Sequence, residues 1–384
     1  MKKRLVLLGA SGSIGRQTID VVLQHPDLYE ITALSVGRNI AELKRILSEV
    51  SVKDVCVIEE AAMRSLQEEY PDIRFCCGDE GLLRLAEMDY DLLVNALVGF
   101  AGFAPTLRAI ETGHDVALAN KETLVVGGEL IKKALQQYGR KLYPIDSEHS
   151  AIFQCMQGND AKNIKRLIIT ASGGAFRNKS RDELADVTAA EALAHPNWSM
   201  GDKITIDSAT MMNKGFEVME AHWLFDMDYD RIDVLMHAES VIHSMVEYID
   251  HSVIAQLGAP DMRLPIQYAL SWPDRFELHQ DEPLDLAKIG TLHFAAPDTD
   301  RFPLLKLAYD TGRKGGNLPA VMNAANESAN AAFRKGIIPF LKIEEIIIGA
   351  VNSAEYKEIR DVDDLLEADA WGTAYADKII RGEE

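Results

Sequence analysis

Short, continuous apolar runs alternate with segments of helical periodicity along the first part of the chain. Each run is a few residues long and apolar on both faces, which is typical of parallel strands covered by helices on either side. We predict strands at residues 5–8, 31–36, 55–58, 73–76, 92–95, 116–119 and 142–145. Helical spacing occurs between them, most clearly at 124–138. This alternation predicts an α/β domain with a parallel sheet.

The pattern changes in the centre of the chain, where apolar runs follow one another at short spacing. We predict strands at 167–171, 204–207, 234–237, 241–248 and 252–257, and helices at 152–157 and 208–225. Consecutive strands without long crossovers favour an antiparallel or mixed sheet, so we expect an α+β domain here.

The last third is helical after a linker. From residue 272 to about 301 the chain is rich in Pro, Asp and His without a clear period, which indicates a linker. We predict helices at 304–311, 318–335, 343–357 and 363–380. Glycines separate them, which favours a small helical bundle.

Composition is that of an ordinary globular protein of more than one domain. The 384 residues are 47% hydrophobic and 26% charged, and they exceed the size of one ordinary core. No apolar run reaches the about 18 residues of a membrane span. The net charge of −20 argues against nonspecific binding to nucleic acid or an anionic membrane. The four cysteines have neither metal nor redox spacing, so we expect reduced thiols in the cytoplasm.

A glycine-rich turn follows the first predicted strand. The stretch Gly9-Ala-Ser-Gly-Ser-Ile-Gly15 lies between that strand and a helix, which is the context of a dinucleotide-binding turn. Its glycines would let the backbone approach a pyrophosphate at the helix N-terminus. Its spacing is GxxGxxG, and a tight turn without a ligand is the alternative.

Two basic residues follow later strands. The second strand ends at Gly37-Arg38-Asn39, without the acid that an NAD site usually places there, and Arg38 can meet a 2′-phosphate. This favours NADP over NAD, although Arg38 could be an ordinary surface residue. Lys121 follows another strand, where it could approach both nicotinamide and substrate; otherwise it begins a helix.

Three acids are candidates for a metal site. Asp146 and Glu148 are two residues apart at a strand end, where an extended chain would turn both carboxylates to one side. Glu217 lies in a second polar stretch. Three convergent carboxylates suit Mg²⁺ or Mn²⁺. The alternative is that Asp146 caps the next helix and Glu148 lies in its first turn.

Further candidates lie in the central region. Ser172-Gly173-Gly174 follows a strand and is either a small anion-binding nest or a plain turn. The loop His195–Gly201 is either a lid over a ligand or a loop whose Trp198 fills the core. Asn213 and Glu217 share a helix face beside Lys214, so this helix could offer donors to a phosphate and a carboxylate to a metal.

Together these stretches resemble one family, the 1-deoxy-D-xylulose 5-phosphate reductoisomerases, in order along nearly the whole chain. The matching motifs are Gly9–Gly15, Asn120–Glu122, Asp146–His149, Ser172–Gly174, His195–Gly201, Asp207–Gly215 with Glu217, His243–Val246 and Gln256–Met262. The resemblance implies an enzyme that rearranges 1-deoxy-D-xylulose 5-phosphate and reduces the resulting aldehyde with NADPH. The product would be 2-C-methyl-D-erythritol 4-phosphate, made for isoprenoid biosynthesis by the non-mevalonate route.

The resemblance also implies roles for individual residues. The cofactor NADPH would be held by Gly9, Ser11, Gly12, Ser13, Ile14, Gly37, Arg38, Asn39, Asn120, Glu122 and Gly201. The ion, Mg²⁺ or Mn²⁺, would be held by Asp146, Glu148 and Glu217. The substrate would be held by Lys121, Ser147, Glu148, Ser172, His195, Trp198, Ser208, Asn213, Lys214 and Glu217. Catalytic roles would fall to Lys121, Asp146, Glu148, His195 and Glu217.

The implied architecture has four segments. They are a Rossmann-like NADPH-binding domain at 1–147, a catalytic and dimerisation domain at 148–275 with a flap at 194–202, a linker at 276–301 and a C-terminal helical domain at 302–384. The implied partners are a sugar phosphate and a second copy of the chain, with no nucleic acid and no membrane, in the cytoplasm.

Two other functions fit part of the pattern. A semialdehyde dehydrogenase would use Cys155 as its nucleophile, although this residue falls in the middle of a predicted amphipathic helix, where a buried structural thiol is commoner. A non-enzymatic NADPH-binding regulator would bind the nucleotide without needing Asp146, Glu148 and Glu217 together.

Overall fold

The computed structural model describes residues 1–198, 200–280 and 282–383. Ser199 of the predicted flap, Asp281 of the predicted linker and Glu384 of the predicted helical domain lie outside the described residues. The chain forms two compact units. The first comprises Met1–Thr123, Glu129–Ser150 and Asp261–Asp281, and the second comprises Leu124–Gly128, Ala151–Pro260 and Glu282–Glu384. The division into four segments stays a prediction.

The first unit is built on a parallel sheet of seven strands, as the alternating pattern predicted. The strands are β1 (Lys3–Leu8), β2 (Tyr29–Ser35), β3 (Asp54–Val57), β4 (Arg74–Cys77), β5 (Leu92–Asn95), β6 (Asp115–Leu118) and β7 (Leu142–Pro144). Their order is β4-β3-β2-β1-β5-β6-β7. The order reverses between β1 and β5, and open α/β sheets bind ligands beyond the strand ends at such a point.

A helix follows each of these strands along the chain. They are α1 (Ser13–Gln24), α2 (Ile40–Glu49), α3 (Glu60–Glu69), α4 (Gly78–Ala86), α5 (Phe103–Glu111), α6 (Glu122–Tyr138) and α7 (Ser147–Cys155). The central strand β1 is fully buried from Leu5 to Leu8, which explains why its sequence is apolar on both faces.

The second unit contains a mixed sheet, which confirms the prediction for the central region. Its strands are β8 (Ile164–Ala171), β9 (Ile232–Met236), β10 (Ile242–Tyr248) and β11 (Val253–Leu257), in the order β11-β10-β8-β9. Strand β8 is parallel to β9, whereas β10 is antiparallel to β8 and β11.

The remaining helices follow α7 along the chain. They are α8 (Ala189–Ala192), α9 (Asp202–Ala209), α10 (Met212–Phe225), α11 (Arg263–Ser271), α12 (Leu286–Ile289), α13 (Pro303–Lys314), α14 (Leu318–Arg334), α15 (Phe340–Ser353) and α16 (Val362–Ile380). Helix α11 belongs to the first unit. The predicted C-terminal helices are confirmed, with α14 packed against α13, α15 and α16. None of the helices in the described ranges is both long and apolar enough to cross a membrane.

One predicted strand is wrong. Residues 204–207 lie in the helix α9, although Ile204, Thr205 and Ile206 are β-branched. Thr205 and Ile206 are buried and the helix packs on α14, so tertiary packing overrides their strand preference. The predicted helix 208–225 is also interrupted, because Met211 adopts a left-handed conformation at φ 63° before α10 begins.

Candidate active site

The glycine-rich turn lies at the carboxyl end of β1. Gly9 has φ +84°, and a Cβ atom there would lie 2.4 Å from the carbonyl oxygen of Ala96, so only glycine fits. The Ser35 Oγ atom accepts a hydrogen bond of 2.9 Å from the Gly9 N–H group, which fixes the turn against β2. Gly12 is the N-cap of α1, followed by Ser13 and Ile14 in the first turn. Because Gly12 has no side chain, the first N–H groups of α1 can face an anion.

The loop after β2 presents a cation beside this turn. The Arg38 guanidinium is 77% exposed and lies 3.1 Å from the Glu59 carboxylate, whereas Asn39 is the N-cap of α2 and accepts from the Glu42 N–H group. Arg38 therefore stands in solvent at the carboxyl edge of the sheet, oriented by one exposed ion pair.

One buried amide joins the loops after β5 and β6, and a second holds the segment after β5. The Asn120 Nδ2 atom donates to the carbonyl oxygens of Leu97 and Gly99 at 3.0 Å and to the Glu122 carboxylate at 3.1 Å. Asn95 donates to the Gly102 carbonyl oxygen at 2.9 Å. Asn120 thus holds the loop after β5 against the loop after β6. The sequence indicated this region by the strand end at 92–95, but not the role of Asn95.

A lysine and two acids meet at the ends of β6 and β7. The Lys121 Nζ atom lies 2.5 Å from the Asp146 carboxylate, and both side chains are nearly buried. The Ser147 N–H group donates to Asp146 at 3.0 Å, and the Ser147 hydroxyl donates to Glu148 at 2.5 Å. Hence four predicted site residues of the first unit come together at one edge of its sheet.

In the second unit, the turn after β8 packs directly on the end of α9. Gly173 and Gly174 have φ angles of +84° and +65°. A Cβ atom on Gly174 would lie 2.6 Å from the Ser208 carbonyl oxygen. The glycines therefore bring the backbone of Ser172–Gly174 against Ser208, so two predicted phosphate-binding serines lie on contacting segments.

His195 connects this turn to the flap. Its Nε2 atom lies 3.0 Å from the Ser172 Oγ atom, and its Nδ1 atom accepts from the N–H groups of Asn197 and Trp198. Burial, with a smaller contribution from the nearby charge of Arg177, lowers the pKa of His195. The imidazole is therefore neutral near pH 7, and its tautomer is set by the flap backbone.

The flap is anchored at its centre by an asparagine. The Asn197 Nδ2 atom donates to the Ala238 carbonyl oxygen at 2.5 Å and to the Ser240 hydroxyl at 2.9 Å. The Trp198 ring lies 5.7 Å from the imidazole of His243 and is partly exposed. Trp198 thus packs beside His243 of β10 and does not fill the core of the unit. Gly201 is exposed as the N-cap of α9.

The first turn of α10 carries the remaining candidates. The Asn213 Nδ2 atom donates to the Glu217 carboxylate at 2.5 Å, and the Lys214 ammonium contacts its other oxygen. Lys214 and Glu217 are both buried. A buried carboxylate and a buried ammonium on one helix are costly unless they are paired or serve a ligand.

Sequence reasoning missed a buried polar cluster behind Ser208. The Asp207 carboxylate accepts from Asn326 at 3.0 Å and from Asn330 at 2.8 Å, both on α14, and from Lys203 at 3.1 Å. Asn326 and Asn330 are fully buried. The cluster ties α9, which carries Ser208, to the C-terminal helices. An acid next to Ser208 was visible in the sequence, but its partners are remote along the chain.

The Cys155 alternative loses support. Cys155 is buried within α7, and burial raises the pKa of its thiol to about 11. A nucleophilic cysteine needs a lowered pKa and access to substrate.

Family models match three segments of the chain. The model described as 1-deoxy-D-xylulose 5-phosphate reductoisomerase matches residues 5–128. A model of the 1-deoxy-D-xylulose 5-phosphate reductoisomerase C-terminal domain matches residues 142–225, and a model of the DXP reductoisomerase C-terminal domain matches residues 257–375.

Relatives and solved structures match along the full length. The 1-deoxy-D-xylulose 5-phosphate reductoisomerase of Geobacillus sp. (strain WCH70) is 52% identical over 380 residues, which are 98% of this chain and 100% of the relative. The enzyme of that name from Zymomonas mobilis, solved with NADPH, is 41% identical with a TM-score of 0.92, covering 99% of both chains. A DOX-P reductoisomerase solved with NADPH, fosmidomycin and magnesium is 39% identical with a TM-score of 0.94, covering 99% of this chain and 98% of that one.

Proposed function

The chain belongs to the 1-deoxy-D-xylulose 5-phosphate reductoisomerase family, and from this membership we propose that it converts 1-deoxy-D-xylulose 5-phosphate to 2-C-methyl-D-erythritol 4-phosphate. The reaction uses NADPH and a divalent cation and serves isoprenoid biosynthesis by the non-mevalonate route. The observation that carries the proposal is the 52% identity that extends over 98% of the chain.

NADPH binds at the carboxyl edge of the parallel sheet. Its pyrophosphate lies on the turn Gly9–Gly15 and the N-terminus of α1, where N–H groups and the helix dipole favour negative charge. Arg38 binds the 2′-phosphate, because its planar guanidinium can donate to two phosphate oxygens at once. The loops joined by Asn120, with Glu122 beside it, receive the nicotinamide end.

The substrate phosphate binds in the second unit. Its ligands are the hydroxyls of Ser172 and Ser208, the Asn213 amide and the Lys214 ammonium. His195 lies nearby, and its Nε2–H group donates to the Ser172 Oγ atom and so orients that hydroxyl. A phosphate is remote from the bonds that change, so its binding energy can be used to order the flap and position the reacting carbons.

The carboxylates of Asp146, Glu148 and Glu217 fit a hard divalent cation such as Mg²⁺ or Mn²⁺, because such ions prefer oxygen ligands. A neighbouring donor holds each carboxylate in place. Lys121 contacts Asp146, the Ser147 hydroxyl donates to Glu148, and Lys214 contacts Glu217. When bound, the cation stabilises negative charge on the substrate oxygens during the rearrangement.

The other residues orient the substrate and protect the intermediate. Lys121 donates to a substrate oxygen from its fixed place beside Asp146, and Ser147 hydrogen-bonds a substrate hydroxyl. The rearrangement breaks one carbon–carbon bond and forms another, and it leaves an aldehyde that accepts hydride from NADPH. Trp198 covers the substrate when the flap closes, which excludes water from the aldehyde until hydride arrives.

We further propose that the enzyme acts as a homodimer in the cytoplasm. Strand β11 is an edge strand of the mixed sheet, and its residues Val253 and Ile254 are exposed. Exposed apolar residues on a sheet edge favour pairing with a second copy. The spacing of the four cysteines is not that of a disulfide framework, which favours a reducing compartment.

A product analysis tests the proposed function. The protein is incubated with 1-deoxy-D-xylulose 5-phosphate, Mg²⁺ and NADPH deuterated at the transferable hydride. We expect 2-C-methyl-D-erythritol 4-phosphate that carries one deuterium, detected by mass spectrometry. An unlabelled product, or consumption of NADPH without this product, would contradict the proposal. Binding of NADPH without turnover would favour the non-enzymatic regulator.

A further inference from the structure

Two thiols lie side by side on the parallel sheet of the first unit. Cys56 of β3 is the register partner of Cys76 of β4, so their side chains leave the same face. Neighbouring strands are about 4.8 Å apart, and disulfides span Cα–Cα distances of about 4.4 to 6.8 Å. Cys56 is buried, whereas Cys76 is partly exposed. Neither residue belongs to the site described above.

A glycine of α4 leaves space for both sulfur atoms. A Cβ atom on Gly81 would lie 2.7 Å from the Cys56 Sγ atom and 3.2 Å from the Cys76 Sγ atom. Since Gly81 has no side chain, the two sulfur atoms occupy one space beneath this helix. A disulfide can therefore form here, with a local displacement of Cys56 as the two sulfur atoms close to bonding distance.

The two thiols differ in reactivity. The neighbouring Cys56 thiol lowers the pKa of Cys76, and the charge of Arg84 adds to this effect, while burial and the charge of Asp54 oppose it. The proximity of Cys76, together with burial, raises the pKa of Cys56. A partly exposed thiol that ionises readily, beside a buried second thiol, is typical of an oxidation-sensitive pair.

The pair is directly connected to the loop that carries Arg38. The Cys56 carbonyl oxygen accepts a hydrogen bond of 2.9 Å from the Val36 N–H group, just before Gly37. Three residues after Cys56, Glu59 forms the ion pair that orients Arg38. A change in the position of Cys56 is therefore transmitted to both sides of this loop.

We propose that Cys76 and Cys56 form a reversible disulfide on exposure to a hydroperoxide, and that this disulfide weakens NADPH binding through the Arg38 loop. The second part rests on the proposed function. The Cys76 thiolate first attacks a peroxide oxygen, forming an S–O bond as the O–O bond breaks and hydroxide leaves. The Cys56 sulfur then attacks the sulfenic sulfur, forming the S–S bond as the S–O bond breaks and water leaves with the thiol proton. A dithiol reductant returns the two electrons and both protons.

Peptide mapping of the full-length protein tests the disulfide. The reduced protein is treated with hydrogen peroxide, its remaining thiols are alkylated and its peptides are identified. We expect a Cys56–Cys76 cross-link that dithiothreitol removes, both in the unmodified protein and in the control Cys77→Ser. The cross-link should be absent in Cys76→Ser. A Cys76–Cys77 bond, earlier oxidation of Cys155 or no cross-link would overturn the proposal.

The effect on the cofactor is measured by NADPH titration of the reduced and cross-linked forms. We expect about tenfold weaker binding after cross-linking, which is the scale of one misplaced charge-assisted contact. Equal binding by the two forms would overturn the connection to the Arg38 loop. A reduced protein that does not bind NADPH would instead count against the proposed function. In that case the peptide mapping would still show whether the Cys56–Cys76 disulfide forms.

Discussion

The Nε2 atom of His195 lies 3.0 Å from the Oγ atom of Ser172. The other ring nitrogen accepts hydrogen bonds from two N–H groups of the flap, so a neutral ring carries its proton on Nε2 and donates it to the serine. This contact links the flap to the turn after β8. From the proposed function we therefore expect that ordering of the flap and orientation of the substrate phosphate are coupled.

The protonation state of His195 gives a prediction about pH. Its pKa is lowered from the ordinary 6.5, so as the pH falls the unfolded chain takes up this proton before the folded chain does. Its contribution to stability is therefore complete above about pH 6.5 and is lost as the pH falls through the folded pKa. We expect an NMR titration midpoint below 6.5 with the proton on Nε2. A midpoint at or above 6.5 would contradict the effect of burial on His195, and a proton on Nδ1 would show that the flap backbone does not fix the ring.

Gly174 should be essential for phosphate binding. In Gly174→Ala the new methyl group would meet the Ser208 carbonyl oxygen, so the turn and the serine must move apart. We expect KM for the substrate to rise at least about tenfold. Measurement of KM and of thermal unfolding checks this.

The matched control is Gly158→Ala, where φ is also positive but no atom lies within 4 Å of the new methyl group. It should cost about 1–2 kcal/mol of stability and leave KM unchanged. Equal changes in KM for the two variants would contradict the proposed contact.

Arg38 should distinguish the two nicotinamide cofactors. Arg38→Asp replaces a donor to the 2′-phosphate by a repelling charge, so NADPH binding should weaken by at least about a hundredfold while NADH binding changes little. The control is Arg64→Asp, which removes another exposed arginine with a carboxylate partner. Titration of each variant with both cofactors measures the two affinities. If Arg38→Asp weakens the binding of NADPH and of NADH equally, Arg38 does not bind the 2′-phosphate.

The Asp207 cluster should contribute strongly to stability. Asp207→Asn keeps the Oδ1 acceptor of the two buried amides, but it replaces the carboxylate oxygen that faces the Lys203 ammonium by an NH2 donor at a largely buried site. We expect a loss of about 3 kcal/mol in the free energy of unfolding. Asp186→Asn, at an exposed position, should change it by less than about 0.5 kcal/mol. Denaturant unfolding measures the free energy of unfolding of both variants. Similar losses in Asp207→Asn and Asp186→Asn would show that the cluster is not stabilising.

The sequence predicted the elements whose causes are local. The short apolar strands of the first unit follow from burial on both faces, and the turn at Gly9 follows from a backbone that only glycine adopts. The family resemblance assigned Lys121 and Asp146 to one site, and their side chains lie 2.5 Å apart.

Non-local causes account for what the sequence did not predict. Ile204–Asp207 has strand-forming residues, but Asp207 finds its partners on α14, more than 100 residues later, and this packing makes the segment helical. The left-handed conformation of Met211 has no signal in its own residue type. The buried amide of Asn120 likewise binds a loop that begins after another strand.

The dependence of turnover on the three carboxylates and on the divalent cation tests the proposed metal site most directly. NADPH oxidation is followed with 1-deoxy-D-xylulose 5-phosphate, with chelator and with added Mg²⁺, for the unmodified protein, Glu217→Gln and the exposed control Glu183→Gln. We expect turnover that the chelator abolishes and Mg²⁺ restores in the unmodified protein and the control. Glu217→Gln should bind NADPH normally but lose at least about a thousandfold in kcat. Turnover that is indifferent to chelator, or unchanged in Glu217→Gln, would contradict the metal site and with it the proposed mechanism.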